Sequence, residues 1–125
     1  MTTLRIEIFP ADVAVTVAFY TGVLGFTVDR DDRPALAYVA LRRGAVLVGA
    51  AQRPAADAVP SQRRPPTGVE LVLEVDDVRA ERDRIVAAGW PLDDDLSVRP
   101  WGLVDVRLLD PDGYYWRLTS AAVTA

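Results

Sequence analysis

The chain has 125 residues and a formal charge of −4; half of the residues are apolar, and there is no histidine and no cysteine. All 14 basic residues are arginine, so imidazole, thiolate and lysine amine chemistry are excluded, leaving Asp, Glu, Tyr, Ser and Thr as reactive groups and Arg as a fixed cation. The acidic balance argues against nucleic acid as a partner. No apolar run approaches the ~20 residues that span a bilayer, and Met1 leads into a strand-like stretch with no apolar signal core. These features predict a soluble, cytoplasmic chain with no membrane partner, and the lysine-free, Ala/Arg-rich composition is that of a GC-rich bacterial coding sequence.

In chain order, Leu4, Ile6 and Ile8 alternate with Arg5, Glu7 and Phe9, the period of a half-buried strand. Asp12 then stands where it can cap a helix, and Val13, Val17, Tyr20 and Leu24 form one helical stripe that Gly25 terminates. A short strand is predicted near residues 26–28. A hairpin follows over 36–41 and 45–50, with Arg42-Arg43-Gly44 as its turn. Residues 53–67 hold four of the nine prolines and read as a linker.

Beyond the linker the pattern repeats. Val69, Leu71, Leu73 and Val75 alternate with Glu70, Val72 and Glu74; Asp77 caps a second helix with Val78 and Ile85 on its apolar stripe, ending at Gly89. A strand is predicted near 90–92, then a hairpin over 102–109 and 114–119 with Asp110-Pro111-Asp112-Gly113 as its turn. The expected fold is α+β: two tandem βαβββ modules, 1–52 and 68–125, forming a cupped mixed β-sheet with helices outside.

Among the remaining features, Arg42-Arg43 and Arg63-Arg64 read as solvated loops and Asp93-Asp94-Asp95 as a solvated acidic turn. Phe19, Tyr20, Phe26, Trp90, Tyr114 and Trp116 read as core. Trp101 and Tyr38 are candidates for stacking on a planar ligand. Glu7, Glu74, Tyr115 and Thr119 share the strand face expected to carry the site.

Asp12-Val13 followed by Ala18-Phe19-Tyr20 and Val23-Leu24-Gly25-Phe26, with Val75-Asp76-Asp77-Val78, Ala88-Gly89 and Asp110-Pro111-Asp112-Gly113-Tyr114 in the second half, resembles the vicinal-oxygen-chelate superfamily of glyoxalases, bleomycin resistance proteins and extradiol dioxygenases. The resemblance implies four strand positions meeting in a cup, which carry His or Glu ligands in metal-dependent members. Counting from Asp12, Gly44, Asp77 and Gly113, these positions fall on Arg5, Val48, Glu70 and Arg117. That set cannot coordinate a transition metal, so the resemblance points to the metal-free, bleomycin-resistance-like branch. It implies no cofactor, a homodimer, and a small aromatic or anionic organic ligand contacted by Arg5, Val48, Glu70, Arg117, Trp101 and Tyr38. The alternatives are a cofactor-free lyase, isomerase or cyclase using Tyr115 or Glu70 as acid or base with Arg stabilisation, and a partner domain whose pocket is plugged by a closed ion-pair network.

Overall fold

In a computed structural model, residues 2–53 and 67–121 are described; most of the expected linker, Arg63-Arg64 included, lies outside them. The chain divides into two compact units, Met1–Arg64 and Pro65–Ala125.

The first unit runs β1 (Arg5–Ile8), α1 (Val13–Gly22), β2 (Thr27–Asp31), a short helical turn α2 (Arg33–Leu36), β3 (Tyr38–Arg43) and β4 (Val46–Ala51). Its mixed sheet has the order β1-β4-β3-β2, with β1 parallel to β4 and the other pairs antiparallel. The second unit repeats the plan with β5 (Leu71–Glu74), α3 (Val78–Ala87), β6 (Asp94–Val98), β7 (Leu103–Leu109) and β8 (Tyr115–Ala121), in the order β5-β8-β7-β6. The expected pair of βαβββ modules is present as two four-stranded sheets, each with its own helix. Among the described residues no helix is long and apolar enough to cross a membrane.

Both main helices start and stop on local chemistry. The Asp12 carboxylate accepts from the Ala14 and Val15 amides at 2.9 and 3.4 Å, and Asp77 accepts from Arg79 and Ala80 at 3.1 Å each. Each cap satisfies amides that the first helical turn leaves unpaired. Gly89 directly follows the cap of α3 at φ +78°, and Gly25 turns the chain three residues after α1 at φ +72°, a conformation that costs glycine little. The stripe Val13, Val17, Tyr20 and Leu24 is buried with Ile8, Val39, Leu41 and Val48 in the first core. Val78 and Ile85 are buried with Leu73, Val106, Leu108, Trp116 and Leu118 in the second.

Three local readings are corrected. Arg42 and Arg43 end β3, and the turn is Gly44-Ala45; Arg42 faces Asp29 at 3.3 Å, and Arg43 donates to the Leu24 carbonyl at 2.8 Å. Asp94 and Asp95 belong to β6, because arginines neutralise them: Arg82 forks onto Asp95 with two contacts of 2.9 Å, and Arg99 reaches Asp94 at 2.6 Å. Trp90 is only half-buried: its indole N–H donates to the Leu109 carbonyl at 2.8 Å, and its ring lines a surface recess of about 250 Å³ with Pro91, Leu92 and Pro111.

Candidate functional site

The face of the second sheet away from its apolar core carries a charged cluster. Along β7, Val104, Val106 and Leu108 go to the core, so Asp105 and Arg107 go to the other side; along β8, Trp116 and Leu118 go inward, so Tyr115, Arg117 and Thr119 share the face with Asp105 and Arg107. The register sets Arg107 directly opposite Arg117. Like charges in directly opposed cross-strand positions repel, and two carboxylates bear that load in different ways.

Asp105 is the fixed one. It has no exposed surface, and Arg99 grips it with contacts of 3.0, 3.1 and 2.8 Å; Arg107 and Arg117 lie farther off, at 3.6 and 3.9 Å. Burial presses the Asp105 pKa upward, but the Arg99 hydrogen bonds and charge outweigh it, and the carboxyl is held below the ordinary range.

Glu70 is the loose one. It precedes β5, outside the paired register that begins at Leu71, and its side chain keeps 33% exposure. One carboxylate oxygen lies 3.1 Å from Arg117 Nε and the other 3.5 Å from an Arg107 amino nitrogen. The Arg117 N–H is not directed at that oxygen: the Nε atoms of Arg107 and Arg117 are both buried and have no hydrogen-bond partner. A buried donor without an acceptor costs about 1–3 kcal/mol, so the cluster is short of acceptor atoms. Its charges nevertheless balance, three arginines (Arg99, Arg107, Arg117) against Asp94, Asp105 and Glu70.

Tyr115 completes this face. Its hydroxyl donates to Asp93 at 2.7 Å. Burial and that hydrogen bond raise the phenol pKa despite the nearby Arg107. Burial presses the Arg107 pKa down, while Tyr115, Asp105 and Glu70 lift it above its ordinary value. At the far end of the face, Glu74, Val75, Asp76, Leu103, Thr119 and Ser120 line a recess of about 370 Å³.

In the first unit, the Arg5 guanidinium lies 2.6 Å from Glu7, and the Tyr38 hydroxyl donates to the same carboxylate at 2.9 Å. Burial and the Glu7 hydrogen bond raise the Tyr38 pKa. Glu7 is paired across β4 with Gly49, which in turn pairs with Ala40. A Cβ placed on Gly49 would collide with the Tyr38 hydroxyl and the Glu7 carboxylate, so the absent side chain makes the seat for that pair. Val48 is a correction: it pairs with Ile6 and Leu41, is 1% exposed, and belongs to the core face opposite Arg5 and Glu7. Counting from Gly44 was one residue out, and one residue reverses the face. The position that matches Arg117 by register is Gly49, since Glu7 pairs with Gly49 as Val72 pairs with Arg117.

Of the anticipated site residues, Glu70 and Arg117 are brought together in the second unit, and Arg5 and Tyr38 in the first. Trp101 is 59% exposed at the tip of the β6–β7 hairpin. Asp105, Arg107 and Arg99 were missed, although the alternation Val104-Asp105-Val106-Arg107-Leu108 puts the first two on the Arg117 face. Among the described residues no three His, Cys, Asp or Glu side chains are grouped to hold a metal ion. In the second unit Glu70 and Arg117 offer one carboxylate, already facing two guanidiniums, and in the first unit Arg5 and Gly49 offer none; neither pair fits a transition metal.

The model of the Glyoxalase/Bleomycin resistance protein/Dioxygenase superfamily matches residues 3–118, and the chain belongs to that superfamily. Similar solved structures include TioX from Micromonospora sp. ML1 (22% identity, 97% of this chain and 99% of that one, TM-score 0.77). A glyoxalase/bleomycin resistance protein/dioxygenase from Nocardioides is 18% identical over 100% of this chain and 86% of that one, with a TM-score of 0.75. A glyoxalase-related enzyme from Fulvimarina pelagi is 19% identical over 98% and 90%, with a TM-score of 0.76. At such identities the likeness shows the fold alone. No curated protein matches the sequence.

Proposed function

We propose that this superfamily member binds a small organic molecule bearing an oxygen-rich anionic group, without a metal ion, in the manner of drug or metabolite sequestration. One observation carries the reading: Arg107 and Arg117 face each other on adjacent strands with buried Nε–H groups that have no acceptor. A guanidinium offers five donors in a planar fork that suits carboxylate-type oxygens, and these two share Glu70 at 3.5 and 3.1 Å and buried Asp105 at 3.6 and 3.9 Å while neither Nε–H is met. Metal independence is supported by the donor chemistry: a chain with no His or Cys sets the Glu70 carboxylate between two guanidiniums, which compete with a metal ion for its oxygens.

The lyase or isomerase reading is less favoured. The Tyr115 proton is committed to Asp93 and its pKa is raised, and both Glu70 carboxylate oxygens already face guanidiniums, at 3.1 and 3.5 Å. A homodimer goes with the binding reading, and sedimentation velocity at micromolar concentration would test it.

The main test is native mass spectrometry of the purified protein for a retained small molecule, followed by titration of that molecule, or of benzoate and 1-naphthoate, into wild type, Arg107→Ala and Arg117→Ala. Each arginine removed should weaken binding by at least about tenfold, the worth of one charge-assisted hydrogen bond, and the compound should be recovered unchanged. Equal affinity in all three proteins, or turnover of the compound, would overturn the proposal.

A further inference from the structure

We infer that Glu70 is a built-in stand-in for the ligand: its carboxylate occupies the seat between Arg107 and Arg117 that the carboxylate of an organic monoanion takes in its place. The inference rests on the binding reading above and deepens it by naming the ligand's charged group and the contact that must open for it.

Three observations carry it. Glu70 bridges the two guanidiniums as a bound carboxylate would, one oxygen toward each arginine, at 3.1 and 3.5 Å. Yet it fits the seat badly, since the Arg117 Nε–H beside it finds no acceptor, and neither does that of Arg107. Of the two carboxylates that face Arg107 and Arg117, it is also the one more able to leave. Asp105 is fully buried and gripped by Arg99, whereas Glu70 sits outside the paired register of β5, just beyond Gly68 at φ +76°, with a third of its side chain exposed.

The charge count selects the ligand. With Glu70 in place the cluster sums to zero, so an added anion would leave an excess negative charge beside buried Asp105. Exchanging one carboxylate for another preserves the balance, and Glu70 moves into water at little cost because it is already partly solvated. A carboxylate placed symmetrically, without the tether to the backbone before β5, can meet both Nε–H groups. A neutral amide of the same shape has a single oxygen and no charge, and does not compete.

Benzoate and benzamide, titrated by calorimetry into wild type, Glu70→Gln and Glu70→Asp, test this. The amide variant gives up the competing charge; the shorter acid keeps the charge and draws it back from the seat by one methylene. Both variants should bind benzoate about tenfold more tightly than wild type, with benzamide unaffected, and the Arg107 and Arg117 Nε–H resonances should shift on benzoate addition. Tightening in Glu70→Gln alone would mean that only the local charge matters, and would overturn the stand-in. So would benzoate binding that depends on Arg117 but is equal or weaker in both variants, an outcome that leaves the binding reading intact. No Arg117-dependent binding in any of the three proteins would overturn both.

Discussion

Asp105→Asn removes one charge from the most buried point of the cluster while keeping its shape. Asp105 has no exposed surface, and three guanidiniums converge on it, Arg99 at 2.8 Å, Arg107 at 3.6 Å and Arg117 at 3.9 Å. Breaking a buried pair by removing one partner costs about 3–5 kcal/mol, because the remaining charge is left uncompensated. Here the arginine side chains keep 19–22% exposure, and the amide oxygen still accepts one hydrogen bond, so the lower end, about 3 kcal/mol, is expected. For a chain of this size that is a fall in Tm of about 10 °C. Urea unfolding followed by circular dichroism should show the midpoint drop with an unchanged slope. Repeating the substitution in an Arg99→Ala background should remove half or more of the effect. A loss below about 1 kcal/mol, or an undiminished effect without Arg99, would refute the reading of Asp105 as the fixed anion of the cluster.

Other outcomes follow from the same geometry. Gly49→Ala should leave the fold intact, since the atoms its Cβ meets are the flexible ends of Tyr38 and Glu7; it should cost about 1 kcal/mol for the lost hydrogen bond. Ultraviolet titration should show the Tyr38 pKa, raised in the parent, returning toward its ordinary value. Asp105 and Asp95 have lowered pKa values, Asp95 at about 2, so their contribution is intact above about pH 4 and is lost as pH falls below it. Chemical denaturation at pH 7, 4 and 2.5 should show stability declining only across the lower step. Tyr38 and Tyr115 have raised pKa values, so their contribution holds below about pH 10 and fades above it; Tyr38→Phe should blunt that alkaline loss. Finally, zinc, nickel or manganese at tenfold excess, or dialysis against a chelator, should leave Tm within about 1 °C, because binding only to the folded state would raise it.

How far such predictions could be drawn from sequence alone depended on whether each feature was local. The caps at Asp12 and Asp77, the glycines after each helix and the Asp110 turn were legible because each is decided within a few residues, and the duplication because these local signals recur in the same order in both halves. Asp110, for example, accepts from the Asp112 and Tyr114 amides at 2.8 and 2.9 Å and closes the turn by itself. The acidic run at Asp93–Asp95 misled because its neutralising partners, Arg82 on α3 and Arg99 beyond β6, are known only once the sheet is assembled. Val48 misled through register: reading Arg42-Arg43 as turn moved the count by one residue, and in a strand one residue exchanges core for site. The same alternation held the signal for Asp105 and Arg107, two charges among Val104, Val106 and Leu108, which no apolar core would accept on its own face. That signal also bears on the choice between a plugged domain and a binding site. A plug needs each donor met, as Arg99 meets Asp94 and Asp105; a binding site needs donors held in place but unmet, as the Nε–H groups of Arg107 and Arg117 are. Both conditions occur side by side on one sheet face. The clamp from Arg99 fixes Asp105 at 3.6 and 3.9 Å from the two arginines, so its charge offsets their mutual repulsion while their Nε–H groups stay unmet.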